Sequence, residues 1–488
     1  MPNLFAVFGA VSFLCFLFQG SFWAVFQPCE RRFRGTPMVA ARLNSSAYPY
    51  RTKLISNTTR NLPVVLTSDR GGASTTKSPP TSSLLGLVGS ANYWQLNEGR
   101  DILKSRVAGA AASLDAVIGD LGEPLDFRAN TTTRAVMAFL PATPPLRFRR
   151  ELRALFLSWL FVRLSEFVRL RTDFVIFTTG KGKEFARRLG CTSEPRTFAK
   201  EPSRCIIVDY VPLEDRLTPH GEPDDPLRDY TAYVDCMLTI AEYQGYEYDY
   251  VLRTDLDTFL MPGFADWIPK SRNQLVVGWG GYSSKNAELH LKYVTETLGL
   301  RDKGLTSLGS TWYGNLRLFK ASANLTLAVI RWLLTQEFSD FEKCCSGVKS
   351  WPHWHRAVAL LYGGHVALNH IGDNVLISGA ENGFMDFQSV KTEPITNKQI
   401  KHVHCWHTRE LFSKFEFHEG AYDQLDLTPF LDMSTTRDYV VALAVSSVRL
   451  SDSELANLSS NTDLLRNRSS WLRLPDRNAS NGVKIYVE

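Results

Sequence analysis

The sequence predicts an α/β protein, with a mostly parallel mixed sheet flanked by helices. Three observations carry this. From Arg134 onward, short apolar runs alternate with longer helical stretches, as in strand–helix–strand units joined by right-handed crossovers. An apolar fraction of 44% and an aromatic fraction of 12% over 488 residues supply a sizeable core. One run, Tyr248-Asp249-Tyr250-Val251-Leu252-Arg253-Thr254-Asp255-Leu256-Asp257-Thr258-Phe259-Leu260, carries two carboxylates where a buried strand should end. In open α/β sheets, ligands bind outside the carboxyl ends of the strands.

The chain begins with an uncharged stretch, residues 3–26, long enough to span a bilayer. It reads as a transmembrane signal anchor, with a cleaved signal peptide as the competing reading. Arg31, Arg32 and Arg34 follow it, and the positive-inside rule would then put the rest in the cytosol. Asn-x-Ser/Thr sequons at Asn44, Asn57, Asn130, Asn324, Asn457, Asn467 and Asn478 argue for a lumen instead. So do cysteines 191, 205, 236, 344, 345 and 405, an even number in the main body. Residues 27–90 form an expected stem, with a Gly/Ser/Thr/Pro-rich centre that cannot bury enough apolar surface to order itself. A net charge of +5, scattered along the chain, leaves no nucleic-acid footprint.

Residues 91–130 read as a helical lead-in, with an Ala- and Leu-rich helix over 101–121. The catalytic body is expected over 131–445. Its strands are Ala135-Val136-Met137-Ala138-Phe139-Leu140, Phe174-Val175-Ile176-Phe177, Cys205-Ile206-Ile207-Val208-Asp209, the 248–260 run and Gln274-Leu275-Val276-Val277-Gly278-Trp279-Gly280. Helices are expected over 146–170, 184–189, 229–243 and 321–337. Arg153, Arg163 and Arg169 interrupt the first of these and count against a second membrane span. Gly309-Ser310-Thr311-Trp312-Tyr313-Gly314-Asn315 reads as a loop entering an apolar strand, Leu316-Arg317-Leu318-Phe319. The Ser350–Arg356 segment, dense in aromatics and imidazole, either lines a pocket or forms an aromatic core corner. Residues 362–370 read as a further strand and Gly372-Asp373-Asn374 as a turn; Asp373 is the candidate base, with turn capping as the alternative. The chain turns polar from 446, and residues 446–488 are expected as a peripheral tail.

Residues i and i+2 of an extended segment point to one side, so Asp255 and Asp257 can face one site. Two hard oxygen donors suit Mn²⁺ or Mg²⁺ better than zinc. The motif and its place in the chain resemble the Asp-x-Asp signature of the GT-A glycosyltransferases. There, Rossmann-like strand–helix units come first and the Asp-x-Asp follows roughly a hundred residues in; the interval from Ala135 to Asp255 is 120 residues. The resemblance implies a nucleotide-diphosphate sugar donor, a divalent metal, and a glycan or glycoprotein acceptor. It also implies a membrane-anchored enzyme of the Golgi or endoplasmic reticulum, with its catalytic part in the lumen. A late histidine is expected as third metal ligand, and His404 is chosen over His402 and His407. Lys414 is the expected cation on the diphosphate, while Arg253, Trp312 and Gly314 are expected to line the donor. The glycogenin-like His-x-x-Gly-x-x-Lys-Pro-Trp arrangement is absent, so the choice among the histidines stays open.

Two other classes compete. Asp255-Leu256-Asp257-Thr258 also fits the nucleophile motif of haloacid-dehalogenase-like phosphatases. That motif normally opens its fold, whereas α/β units precede it here, and no Asp-Asp pair follows. A non-catalytic GT-A-like glycan-binding domain is the third reading.

Overall fold

The protein is described from a computed structural model, covering residues 91–121, 131–213, 231–280, 285–338, 354–377, 385–405 and 412–467. The chain divides into two units, Met1–Gln95 and Leu96–Glu488. In the first, residues 91–95 start a helix. The expected anchor over 3–26 and stem over 27–90 lie outside the described residues. Among those described, no helix is long and apolar enough to cross a membrane.

In the second unit, the remainder of that helix, α1 (Ala91–Asp120 in all), leads to β1 (Thr132–Phe139), α2 (Leu146–Leu164), β2 (Leu170–Thr178), α3 (Gly180–Arg188), β3 (Cys205–Asp209), α4 (Thr231–Ala241) and β4 (Tyr250–Arg253). Then come β5 (Thr258–Leu260), β6 (Leu275–Trp279), α5 (Lys285–Thr297), β7 (Leu308–Gly314), α6 (Leu316–Trp332), α7 (Ala359–His370), β8 (Val375–Ile377), β9 (Phe387–Gln388) and β10 (His402–His404). Helices α8 (Lys414–Glu419), α9 (Thr436–Arg449), α10 (Asp452–Ser460) and α11 (Thr462–Arg466) complete the order. Seven strands form the main sheet in the order β3-β2-β1-β4-β7-β6-β8. Strands β3, β2, β1 and β4 pair in parallel, as do β6 and β8; β7 alone runs against its neighbours. The sheet is mixed and mostly parallel, as expected.

Strand alternation divides the core between two faces. Val136, Ala138, Phe174, Ile176, Tyr250, Leu252 and Tyr313 pack on one side with α2 and α9. Ala135, Met137, Val175, Phe177, Val251 and Trp312 pack on the other with α4, α6 and α7. Both faces are covered, so β1 is buried at nearly every position, and its second part, Ala135–Phe139, reads as an apolar run. Helix α2 is buried from Glu151 to Val162.

Several expectations are corrected. Leu316-Arg317-Leu318-Phe319 starts a helix, because the Asn315 side chain accepts from the Arg317 and Leu318 amides and caps it. The expected strand over 362–370 is helix α7. There Gly363 faces the Thr326 carbonyl and Ile330 with no room for a Cβ, so the glycine serves close helix packing. Trp354 stacks on Tyr362 at 4.5 Å and on Phe338 at 5.1 Å, an aromatic core corner. The polar tail expected from 446 is part of the body through Arg466: Leu455, Leu458 and Leu465 are buried in the α2 core. Cys191 and Cys205 form a disulfide; Cys236 and Cys405 carry thiols, and 344 and 345 lie outside the described residues.

Candidate metal and donor site

The site forms where β4 leaves the main sheet. The Thr254 amide donates to the Met137 carbonyl at 3.1 Å, extending the β1 pairing by one residue. The chain then turns through Asp255-Leu256-Asp257. Thr258 closes this turn by donating its hydroxyl to the Asp255 carbonyl at 2.8 Å. Strand β5 leaves the main sheet and pairs antiparallel with β10, matching Leu260 to His402, Phe259 to Val403 and Thr258 to His404. One further bond, from the Cys405 amide to the Asp257 carbonyl at 3.0 Å, locks the register. A three-residue ladder thus brings a distant histidine to the two aspartates.

Asp255, Asp257 and His404 each offer a ligand atom, and these atoms lie within 4.8 Å of one another. His404 Nε2 is 3.3 Å from Asp257 Oδ1, and its Nδ1 is 3.3 Å from Asp386 Oδ1. His402 is fully buried; its Nε2 lies 2.8 Å from Thr254 Oγ1, and its Nδ1 accepts from the Asp386 amide at 3.3 Å. His402 therefore braces the turn, and His404 faces the carboxylates. His407 lies outside the described residues.

Two cations complete the cluster. Lys414, at the start of α8, places Nζ 2.6 Å from Asp257 Oδ2. Arg253 Nη2 donates to Asp255 Oδ1 at 2.8 Å, while Ser310 Oγ donates to Asp255 Oδ2 at 2.8 Å. Burial alone would raise the pKa of Asp257, but His404 and Lys414 more than offset it and hold the carboxyl well below its usual range. Burial likewise opposes the charge on His404, and the Asp257 and Asp386 carboxylates overcome it and raise its pKa.

Asp386 is the residue that sequence reasoning missed. It sits at positive φ (54°) and is 3% exposed. Its Oδ1 accepts from Thr311 Oγ1 at 2.6 Å. A Cβ at Gly278 or Gly309 would collide with its Oδ2, so both glycines make room for this carboxylate. Burial raises its pKa, and the two imidazoles outweigh that and bring it well below the usual range. Nothing in the local sequence marks it; the signal lay in the two distant glycines.

The structure brings Asp255, Asp257, His404, Arg253 and Lys414 together. It places Gly314 and Asp373 away from them, and it sets Trp312 opposite Arg253 in the β4–β7 register with its ring in the core. Strand β7 runs antiparallel, so its beginning, Gly309-Ser310-Thr311, meets the site, while Gly314 pairs with Val251 towards the far end. Trp312 is 2% exposed, packs on Phe319, and donates its indole N–H to the Gly309 carbonyl. Asp373 precedes β8, at the opposite end of the sheet from the turn after β4, and pairs with Lys303 at 2.8 Å. Its side chain is 79% exposed.

Residues 128–472 match the model of a domain of unknown function, DUF7164. The chain belongs to that family. The DUF7164 match runs from just before β1 to just past α11, and so takes in both sheets and every helix after α1. No curated protein matches the chain. Among solved structures, it is similar to the galactosyltransferase LgtC in complex with donor and acceptor sugar analogues, at 12% identity and TM-score 0.30 over 56% of this chain and 86% of that one. Similarity to the bifunctional glycosyltransferase WbbM is at 11% identity and TM-score 0.32, over 66% of this chain and 50% of that one. For mouse xyloside xylosyltransferase 1 the identity is 11% and the TM-score 0.29, over 52% of this chain and 87% of that one.

Proposed function

We propose that this DUF7164 protein is a metal-dependent glycosyltransferase that moves a sugar from a nucleotide-diphosphate donor to a hydroxyl of a glycan or glycoprotein. The observation that carries the reading is the Asp255–Asp257–His404 cluster at the carboxyl end of β4, with Lys414 beside it. The donor set fits Mn²⁺ or Mg²⁺: two carboxylates, and an imidazole whose second nitrogen is oriented by a buried carboxylate. When bound, such an ion would neutralise charge growing on the departing nucleoside diphosphate.

The chain's own residues divide the remaining work. Asp255, Asp257 and His404 hold the ion. Asp386 fixes the ring of His404, leaving Nε2 towards the carboxylates. Arg253 and Ser310 fix Asp255. Lys414 offers a second positive charge to the diphosphate, and stabilising charge that develops in the transition state accelerates the reaction. Asp373, Trp312 and Gly314 have no part in this reading. The Cys191–Cys205 disulfide and the exposed positions of Asn324, Asn457 and Asn467 support a secretory-pathway lumen as its compartment.

The test is release of nucleoside diphosphate by the purified full-length protein from a panel of nucleotide sugars, with and without Mn²⁺. Turnover of one donor that needs both the metal and Asp257 supports the reading. If donors bind with metal but none turns over, the protein is a binding domain; if none binds, the transferase reading falls.

A further inference from the structure

Each carboxylate of the cluster already carries a cation, and the two cations are held differently. Arg253 is anchored from behind: Nη1 donates to the Ser310 carbonyl at 2.6 Å and Nη2 to Cys236 Sγ at 2.8 Å. It is 2% exposed and has nowhere to go. Among the described residues, Asp257 is the only hydrogen-bond partner of the Lys414 ammonium. The backbone of α8 is nonetheless fixed to α2. Glu151 Oε1 lies 2.6 Å from His418 Nε2, and Arg150 grips Asp423 through both oxygens at 2.6 and 2.7 Å. Arg150 also donates to the Phe417 carbonyl at 3.2 Å. A pinned helix therefore carries a flexible four-carbon stem with a point charge at its tip.

That point charge lies against a carboxylate oxygen of the ligand cluster. We infer that Lys414 is a tethered counter-ion, which neutralises Asp257 until a divalent ion arrives and then moves to the diphosphate. The inference rests on the metal reading above and goes beyond it in one respect. Lys414 would oppose the metal when it binds alone and favour it when it binds with a diphosphate. A divalent ion entering alone must approach a group already charge-balanced by Arg253 and Lys414. An ion arriving with a diphosphate brings anionic charge that gives Lys414 a new partner. Metal and diphosphate then bind with positive coupling, and each raises the affinity for the other by the same factor.

The sign reversal is the test. Mn²⁺ binding to the full-length protein would be titrated by calorimetry and by the spin-resonance signal of free Mn²⁺, with and without inorganic pyrophosphate. The variants are Lys414→Met, Lys414→Gln and Lys414→Arg, each checked for folding by circular dichroism. Met and Gln are expected to bind Mn²⁺ alone about tenfold more tightly than the natural protein and the Mn²⁺–pyrophosphate pair about tenfold more weakly. Arg keeps the cation and should stay close to the natural protein in the first measurement. Gln guards against a Met variant that does not fold. Mn²⁺ binding that is unchanged or weaker in the folded neutral variants overturns the inference while leaving the metal reading intact. If neither the natural protein nor any variant binds Mn²⁺, the metal reading falls, and this inference with it. Binding that appears only in the neutral variants supports both.

Discussion

Two aspartates in this fold sit among buried cations, and only one of them sits where a ligand could be held. Asp173, on β2, is fully buried beside Arg196. Its Oδ1 accepts from Arg196 Nη2 at 2.6 Å and the Arg204 amide at 3.0 Å; its Oδ2 accepts from Arg196 Nε and the Tyr248 hydroxyl, both at 2.7 Å. Every lone pair is taken by a donor fixed in the body of the protein. Asp257 is partly buried and also paired, but one oxygen meets a lysine on a long stem and the other faces an imidazole. Burial and ion pairing are therefore common to a structural site and a candidate functional one. What separates them is whether the partners are fixed donors or groups that can give way to a ligand.

The sharpest way to break this comparison is Asp257→Ala. Turnover should fall by ~10³-fold or more, because the ligand set and the partner of Lys414 go together. Steady-state diphosphate release measures it, and near-normal turnover would remove Asp257 from the site. Asp173→Ala should act on stability instead, costing about 3–5 kcal/mol by leaving the Arg196 charge buried and unpaired. Urea unfolding reads this loss; a smaller loss than for Asp257→Ala would reverse the assignment of the two aspartates. Asp386→Asn is expected to lie between them. It should keep the fold and weaken Mn²⁺ binding by about 10- to 100-fold, as for a residue that orients a ligand.

The smallest expected effect extends the contrast to histidine. His404 lies between two carboxylates that favour its charge, whereas His365 and His370, on α7, are pushed the other way. Burial depresses both, and Arg301 adds to it at His370. A histidine whose folded pKa lies below its unfolded value of about 6.5 binds fewer protons when folded, so stability is lost as pH falls through that region. The melting temperature should drop from pH 7 to pH 5, and the drop should shrink in His365→Gln. An equal drop in that variant would assign the loss to other groups.

The strands were legible because a parallel sheet covered on both faces needs apolar runs, and Ala135–Phe139 of β1, Phe174–Phe177 of β2, Cys205–Val208 of β3 and Leu275–Val277 of β6 supply them. The carboxylate pair was legible because its spacing is local. Helix α7 was read as a strand because two adjacent glycines, Gly363 and Gly364, disfavour a helix in sequence, yet they let α7 approach the Ile330 and Trp312 side chains. Trp312 and Gly314 were expected to line the donor, and nothing in a sequence gives the direction of a strand; with β7 antiparallel, Ser310 is the residue that reaches Asp255. Lys414 and His404 were found through a family resemblance, since their meeting with Asp257 depends on the β5–β10 register. Asp386 was out of reach for the same reason. The C-terminal leucines were discounted because a few apolar residues among many polar ones suffice to bury one side of a short helix.

That β5–β10 ladder also orders the assembly of the molecule in time. The parallel half of the main sheet is complete once β4 has been made, and both aspartates are present from then on. The imidazole, its orienting carboxylate and the lysine all arrive more than a hundred residues later. A nascent or truncated chain ending before His402 would hold the paired-carboxylate turn, with Arg253 and Ser310 on Asp255 but neither imidazole nor lysine on Asp257. On the proposed reading, metal affinity would track completion of the chain, and an experimenter could read it as a mark that both halves have met.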